Sequence, residues 1–260
     1  MEIGVCVKRV PMVGGRIVVT ADGQDVDTRM SGFTISPHEE CAVEEAVQIV
    51  EREGGSVTVL TLGPPEAADQ LRDMLALGAQ HALLLETDGR EWGPMATAAA
   101  IADAVTRRAD SGEPPYDLLL FGNEAADTGD YQVAIRVARA LGLPVASGIK
   151  RLTLTGAGGG GGAQASREYR GTQETYDLTL PAVVSVKEGI NLPRYPSLPG
   201  RLRAKRVKID VFRPDWQPEG LRKTGLRLPP ETSGRAQILG SGVDAVPALV
   251  ALLDELGVLS

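Results

Sequence analysis

Apolar positions fall in two alternating rhythms along the first two-thirds of the chain. Short apolar runs at Ile3–Val7, Ser56–Leu62, Ala82–Leu85 and Asp117–Phe121 read as buried strands. Between them, apolar residues recur three and four apart, which predicts helices over Glu66–Leu77, Pro94–Arg108 and Asp130–Leu141. An earlier helix opens at Ser36-Pro37-His38-Glu39 with several start signals together. Serine is the N-cap, proline takes the first helical position, and glutamate three residues after serine completes a capping box. This helix continues through Val50 until Gly54-Gly55 ends it. Arg16–Thr20, followed by Ala21-Asp22-Gly23, reads as a strand entering a turn. Strands separated by helices imply βαβ units and a parallel sheet covered on both faces.

The pattern changes after Pro144. Lys150–Thr155 and Arg167–Leu180 alternate like a β-ribbon around the glycine run Gly156–Ala163. That run lacks a following Lys-Ser/Thr and a GxGxxG placement, so it reads as a hairpin tip rather than a phosphate cradle. Pro181–Val186 is apolar enough to return to the main sheet. Arg201–Lys208 alternates charged and apolar residues and reads as a strand or loop with a solvated face. Beyond Ile209 the chain is rich in Pro, Gly and charge until an apolar helix at Val246–Leu256, which needs a surface to dock on. The expected fold is therefore α/β: a doubly wound, mainly parallel, Rossmann-like sheet of the adenine-nucleotide-binding kind, with a β-ribbon insertion and an extended C-terminal arm. Residues 1–210 form the α/β domain, with the hairpin insertion at about 150–180, and 211–260 form the arm with its docking helix.

Composition narrows the function. A net charge of −7 over 260 residues disfavours non-specific nucleic-acid binding, and no nucleic-acid partner is expected. Cys6 and Cys41 show neither CxxC nor metal-ligand spacing, so no metal site is expected. Met1–Val7 enters a strand directly rather than a signal peptide, and no apolar run approaches the ~20 residues of a membrane span. A cytoplasmic protein is expected. The chain has no GxSxG, HExxH, Walker lysine or Ser/His/Asp set, and His38 and His81 lie far apart. No catalytic residue is assigned. A binding fold without an acid/base set suggests a carrier or sensor rather than a group-transfer enzyme.

The most informative stretch is Leu118–Val133, a strand that runs through a Gly/Asp-rich loop into a helix. A helix N-terminus at the sheet's carboxyl edge carries unpaired N–H groups and about half a positive charge, which suits a phosphate. Glu124, Asp127 and Asp130 crowd this loop, either facing ribose hydroxyls or a counter-cation, or serving as helix-capping acids on a surface loop. Loops also leave the sheet after Val7 and at Gly63-Pro64. The three meet only if their strands are neighbours.

Several of these motifs, taken in order, resemble the beta subunit of electron transfer flavoproteins over nearly the whole chain. They are Val7-Lys8-Arg9-Val10, Ser36–Ala46, Leu62-Gly63-Pro64, Ala76-Leu77-Gly78-Ala79, Gly122–Val133, Leu180–Val184 and Asn191–Pro199, with Lys205 and Arg206 beyond. Asn191-Leu192-Pro193-Arg194-Tyr195-Pro196-Ser197-Leu198-Pro199 is the most specific, resembling Asn-x-Pro-Arg-Tyr-x-x-Leu-Pro. The resemblance implies an alpha/beta heterodimer that carries electrons from acyl-CoA or other flavin dehydrogenases, as in fatty acid oxidation, to an electron transfer flavoprotein–quinone oxidoreductase. It implies FAD held mainly by alpha and a second nucleotide in beta, AMP in most members and FAD in the bifurcating branch.

Carried over position by position, the beta nucleotide site comprises the Cys6 backbone, Ser36, Pro37, His38, Glu39, Leu62, Gly63, Gly122, Asn123, Glu124, Ala125, Asp127, Thr128, Gly129, Asp130, Gln132 and Val133. The phosphate would sit on the Asp127–Val133 turn and the adenine against the loops after Val7 and Leu62. A partner-recognition loop at about 190–200 would present Tyr195, Leu198 and Pro199 to the dehydrogenase. Three departures leave the beta nucleotide open between AMP and FAD. Asn123 replaces the usual lysine, Thr128-Gly129 breaks an aspartate run, and Val13 replaces an aromatic residue that touches the flavin. A third class, a non-redox adenine-nucleotide sensor resembling universal stress proteins, shares the βαβ core but has no need of the Leu198 loop or the arm.

Overall fold

The computed structural model describes residues 1–12, 17–156, 161–218, 223–230 and 237–259. β1 (Glu2–Cys6) leads through a small antiparallel ribbon, β2 (Val10–Pro11) with β3 (Phe33–Thr34), into α1 (Pro37–Glu53). Then come β4 (Ser56–Gly63), a 3-10 turn (Pro65–Ala67), α2 (Ala68–Leu77), β5 (His81–Glu86), α3 (Pro94–Asp110), β6 (Leu118–Gly122) and α4 (Val133–Leu141). The rest comprises β7 (Val145–Ile149), β8 (Arg151–Thr155), β9 (Gly162–Tyr169), β10 (Thr172–Thr179), β11 (Ala182–Val186), α5 (Leu198–Arg206), β12 (Ile209–Phe212) and α6 (Val246–Glu255).

Seven strands form one sheet in the order β12-β5-β4-β1-β6-β11-β7, with every neighbouring pair parallel. The chain winds from β1 outward through β4 and β5, then returns to the other side of β1 for β6. Strand order therefore reverses at β1. Cys6 registers with Leu60 on one side and with Phe121 on the other, so the carboxyl ends of β4, β1 and β6 lie side by side. This meets the condition under which the three loops converge. Helices α1 and α2 bury Val43, Ile49, Leu71 and Leu75 against one face of the sheet. Helices α3 and α4 bury Ile101 and Val137 against Leu119 and Phe121 on the other. Each such side chain contributes about 1.5–3 kcal/mol through burial.

Several elements differ from the sequence reading. Helix α4 begins at Val133 rather than Asp130, because Tyr131 takes a left-handed φ of 56° that a helix cannot contain. The ribbon is a three-stranded antiparallel sheet, β10-β9-β8. The expected single strand Arg167–Leu180 turns back on itself at Arg170-Gly171, both left-handed in φ. In the glycine run, positions 157–160 lie outside the described residues, while Gly162 already pairs with Thr155. Arg16 and Val13 also lie outside them. Val19 bridges Val26 around the turn at Thr20–Asp25. Two short edge strands, β7 and β12, were not anticipated; the first is interrupted by Ser147-Gly148 and the second has four residues.

The stretch expected as a strand or loop at Arg201–Lys208 is mostly helix α5. Ser197 caps it by accepting the Gly200 N–H at 3.1 Å, and Pro199 occupies its first turn. Gly200 and Ala204, one turn apart, are buried against α2, and a Cβ on Gly200 would stand 2.5 Å from the Ala76 carbonyl oxygen. That tertiary contact outweighs the strand-like alternation of charge. Leu198 is thus the first residue of a helix instead of part of a loop. Helix α6 forms where expected, yet none of its residues is buried within this chain.

Candidate functional site

A cleft of about 780 Å³ opens beyond the carboxyl ends of β4, β1 and β6. Its floor is Cys6, Leu60 and Phe121, which stand level in register across those strands. One wall is the start of α1. The capping box read from the sequence forms: Glu39 Oε2 accepts the Ser36 N–H at 3.1 Å, closing the first turn. Its other oxygen, Oε1, reaches across to accept the Lys8 N–H at 2.9 Å, tying the loop after β1 to the helix. Burial pushes the Glu39 carboxyl up to about 8, although the two backbone N–H groups favour its anion. Ser36 Oγ donates to the Glu124 carbonyl at 3.1 Å, which pins the β6 loop to the same helix end.

Residues Asn123–Gln132 form the opposite wall. The Gly129 N–H closes a turn on the Ala125 carbonyl at 3.0 Å, and Asp127 Oδ1 accepts both the Thr128 N–H and Lys8 Nζ at 2.8 Å. Helix α4 then starts at the rim. A second helix, α3, also begins there, with Gly93 as its N-cap. Helix α4 has no side-chain cap, so its first N–H groups, at Val133, Ala134 and Ile135 in the cleft lining, have no intrahelical partner. Helix α3 instead brings Pro94, which has no N–H, and Thr97, whose N–H donates to the Gly93 carbonyl at 3.0 Å. The positive end of α4 at the cavity favours an anion.

Of the residues assigned from sequence, Cys6, Glu39, Leu62, Gly122, Asn123, Glu124, Ala125, Thr128, Asp130, Gln132 and Val133 line the cleft. Ser36, Pro37, His38, Gly63, Asp127 and Gly129 stand behind this lining. Their visible work is structural. His38 Nε2 lies 3.4 Å from Glu124 Oε1 while its Nδ1 accepts the Glu188 N–H at 3.2 Å. Gln132 Oε1 accepts two N–H groups of Arg136, at 3.1 and 2.9 Å.

Sequence reasoning missed the remaining side of the cleft. Trp92 reaches it from the segment before α3, Thr97 and Ile101 from α3 itself, and Trp216, Pro218 and Lys223 from the arm. Trp216 Nε1 donates to the Glu91 carbonyl at 3.0 Å, and Lys223 pairs with Glu91 at 3.3 Å. The arm therefore crosses the cleft beside α3. The available signal was the helix start Gly93-Pro94, which marks another N-terminus at the same sheet edge.

The lining suits an adenine nucleotide. The strand ends offer an apolar floor that can take a base, and the N-terminus of α4 offers donors that can take a phosphate. Thr61 Oγ1 and Trp92 Nε1, in the cleft wall, are buried without a hydrogen-bond partner. Such atoms are rare in protein interiors. Among the described residues, no group of three or more His, Cys, Asp or Glu is placed to hold a metal, and no helix is long and apolar enough to cross a membrane. The residues assigned to partner docking lie at the surface, with Tyr195 96% and Leu198 72% exposed and Pro199 beside them.

Residues 26–215 match the family model described as the electron transfer flavoprotein domain. The chain is 34% identical over 229 residues to the electron transfer flavoprotein subunit beta of Bacillus subtilis (strain 168), covering 85% of this chain and 86% of that protein. It is 35% identical over 210 residues to the subunit beta of Syntrophomonas wolfei, covering 80% and 78%. With the subunit beta of Homo sapiens the identity is 30% over 265 residues, covering 99% of this chain and 98% of the human protein. The family model over residues 26–215 and the identities of 30–35% across most of these relatives lead to one assignment: this chain belongs to the electron transfer flavoprotein family, among its beta subunits.

Proposed function

We propose that the chain pairs with an electron transfer flavoprotein alpha subunit, holds an adenine nucleotide in the cleft beyond β4, β1 and β6, and helps carry electrons from flavin dehydrogenases towards a quinone oxidoreductase. The observation that carries this reading is the uncapped N-terminus of α4 standing over an apolar floor at the point where strand order reverses. The FAD held mainly by alpha would supply reversible one- and two-electron redox chemistry. This chain's residues bind and orient. The start of α4 receives the phosphate, Cys6 and Leu62 border the base, and the arm at Trp216 helps exclude water.

The chain itself makes and breaks no bonds in this reading. Burial, and then the Glu39 charge beside it, raise the pKa of the Cys6 thiol, which keeps it from acting as a thiolate nucleophile. Both Glu39 oxygens already accept backbone N–H groups. The alpha subunit also accounts for the arm. Leu249, Val250, Leu256, Val258 and Leu259 are exposed on and after α6, an apolar surface that a partner would cover.

The test is co-expression with the alpha subunit, followed by visible spectroscopy and extraction of nucleotides. A yellow heterodimer with one FAD and one AMP supports the proposal. Two FADs per heterodimer indicate the bifurcating type. A colourless chain that ignores alpha and binds ATP overturns the carrier reading in favour of a sensor.

A further inference from the structure

We infer that Arg194 is a positioning residue: it clamps the docking segment to α1 so that Tyr195 and Leu198 are held outward for the dehydrogenase. This rests on the proposed carrier function and on the docking role that the family resemblance implies for that segment. After β11, residues 187–197 form neither helix nor strand. They are nonetheless tied to α1 at three points spaced three residues apart. The Glu188 N–H donates to His38 Nδ1 at 3.2 Å. Asn191 Nδ2 donates to the Cys41 carbonyl at 3.0 Å and to Glu45 Oε2 at 2.9 Å. Arg194 makes the last tie, in which Nε and Nη2 donate to the two oxygens of Glu44 at 2.9 and 3.1 Å, and Nη1 and Nη2 to those of Glu51 at 2.6 and 2.9 Å. The Arg194 backbone N–H also donates to Glu44 Oε2 at 3.2 Å.

The chemistry of this clamp is asymmetric. The Glu44 side chain is only 3% exposed, so its charge needs a fixed partner, and the planar guanidinium supplies one in two-pronged geometry. Glu51 receives the other edge near solvent. The hydrogen bonds from Arg194 and Gln48 hold Glu44 ionised against its burial, and those to Glu51 and then Glu44 hold Arg194 firmly charged against its own partial burial. A Lys at this position would reach one carboxylate and leave the fork unmade.

Leu192 and Tyr195, on either side of Arg194, and Leu198 beyond are all exposed. A loose segment would fold such side chains back onto its own surface. One fastened at positions 188, 191 and 194 keeps them outward and loses less freedom on docking. Arg194 therefore spends its donors inside the chain and acts on the partner only through the residues it aims.

The experiment uses the flavin-loaded heterodimer and a flavin dehydrogenase that reduces the wild-type protein, an acyl-CoA dehydrogenase first. Arg194→Gln combined with Glu44→Gln removes the buried carboxylate together with its partner, so no uncompensated charge is left at position 44. The expected result is a KM for the dehydrogenase raised about tenfold, with kcat and flavin content retained. Leu198→Ala should raise KM by itself. Added to the Gln pair it should raise KM by less than the product of the two effects, because both act through one contact. Glu51→Gln, which leaves the buried half of the clamp intact, should shift KM in the same direction by less and speed amide exchange at residues 191–198. An unchanged KM in the Gln pair, with Leu198→Ala still harmful, would overturn the clamp alone. Fully additive effects would make Arg194 a direct partner contact and would also overturn it. No effect of Leu198→Ala would remove the docking reading itself.

Discussion

Gly122 and Glu39 are pressed together where β6 meets the first turn of α1: a Cβ on Gly122 would lie 2.6 Å from Glu39 Cγ and 3.0 Å from the Glu39 nitrogen. The glycine is needed for close approach, since even a methyl group would collide with Glu39 Cγ and crowd the helix backbone beside it. The contact brings the capping-box carboxylate to the loop that forms the other wall of the cleft. One residue without a side chain thus sets the width of the proposed nucleotide site.

Gly122→Ala should push the start of α1 away from β6. The expected cost is about 1–3 kcal/mol of stability from overpacking, together with loss of the nucleotide in beta. Thermal unfolding and nucleotide content of the purified heterodimer measure both. Full retention of nucleotide would show that the cleft tolerates the wider spacing.

Glu39 gives a pH signature. Its carboxyl is raised from 4.5 to about 8 by burial. Between those values the folded chain holds a proton that the unfolded chain has released, so this group's contribution to stability falls as pH rises through the window. The total change is on the order of a few kcal/mol. Glu39→Gln, neutral at every pH, should flatten that slope. Denaturant unfolding of wild type and variant at pH 5 and pH 8 should show a gap that changes with pH; a constant gap would contradict a raised carboxyl.

Leu198→Ala removes a side chain that packs on almost nothing in this chain, being 72% exposed. Stability and flavin content should stay unchanged, while reduction by the dehydrogenase loses up to about 1.5–3 kcal/mol of docking free energy. Stopped-flow reduction across a range of dehydrogenase concentrations reads this directly. Unaltered concentration dependence would place the docking contact elsewhere.

Trp92 and Trp216 are the chain's two tryptophans, and both line the cleft. Intrinsic fluorescence of the isolated subunit should therefore change when AMP is added, and the change should shrink in Trp92→Phe and Trp216→Phe. An emission spectrum indifferent to a nucleotide that equilibrium dialysis shows to be bound would put the base away from this end of the cleft.

Much of the site was legible because its parts are local. The capping box of Ser36 and Glu39 spans three residues, and apolar runs mark β1, β4, β5 and β6 whatever lies beside them. Family motifs added the loop Gly122–Val133. The tertiary structure alone decided whether these pieces meet, because strand order depends on pairing between residues far apart, as in Cys6 with Leu60 and Phe121. Helix α5 shows the same division. Its charge spacing resembles a strand over residues 201–206, but Gly200 and Ala204 find a surface on α2 that only a helix can use. The Trp216 side of the cleft was equally hidden, since its bond to Glu91 joins positions 125 residues apart and neither position carries a mark of the other. Short-range hydrogen bonds and periodicity are written into neighbouring residues. Contacts that close long loops exist only once burial has brought their partners together.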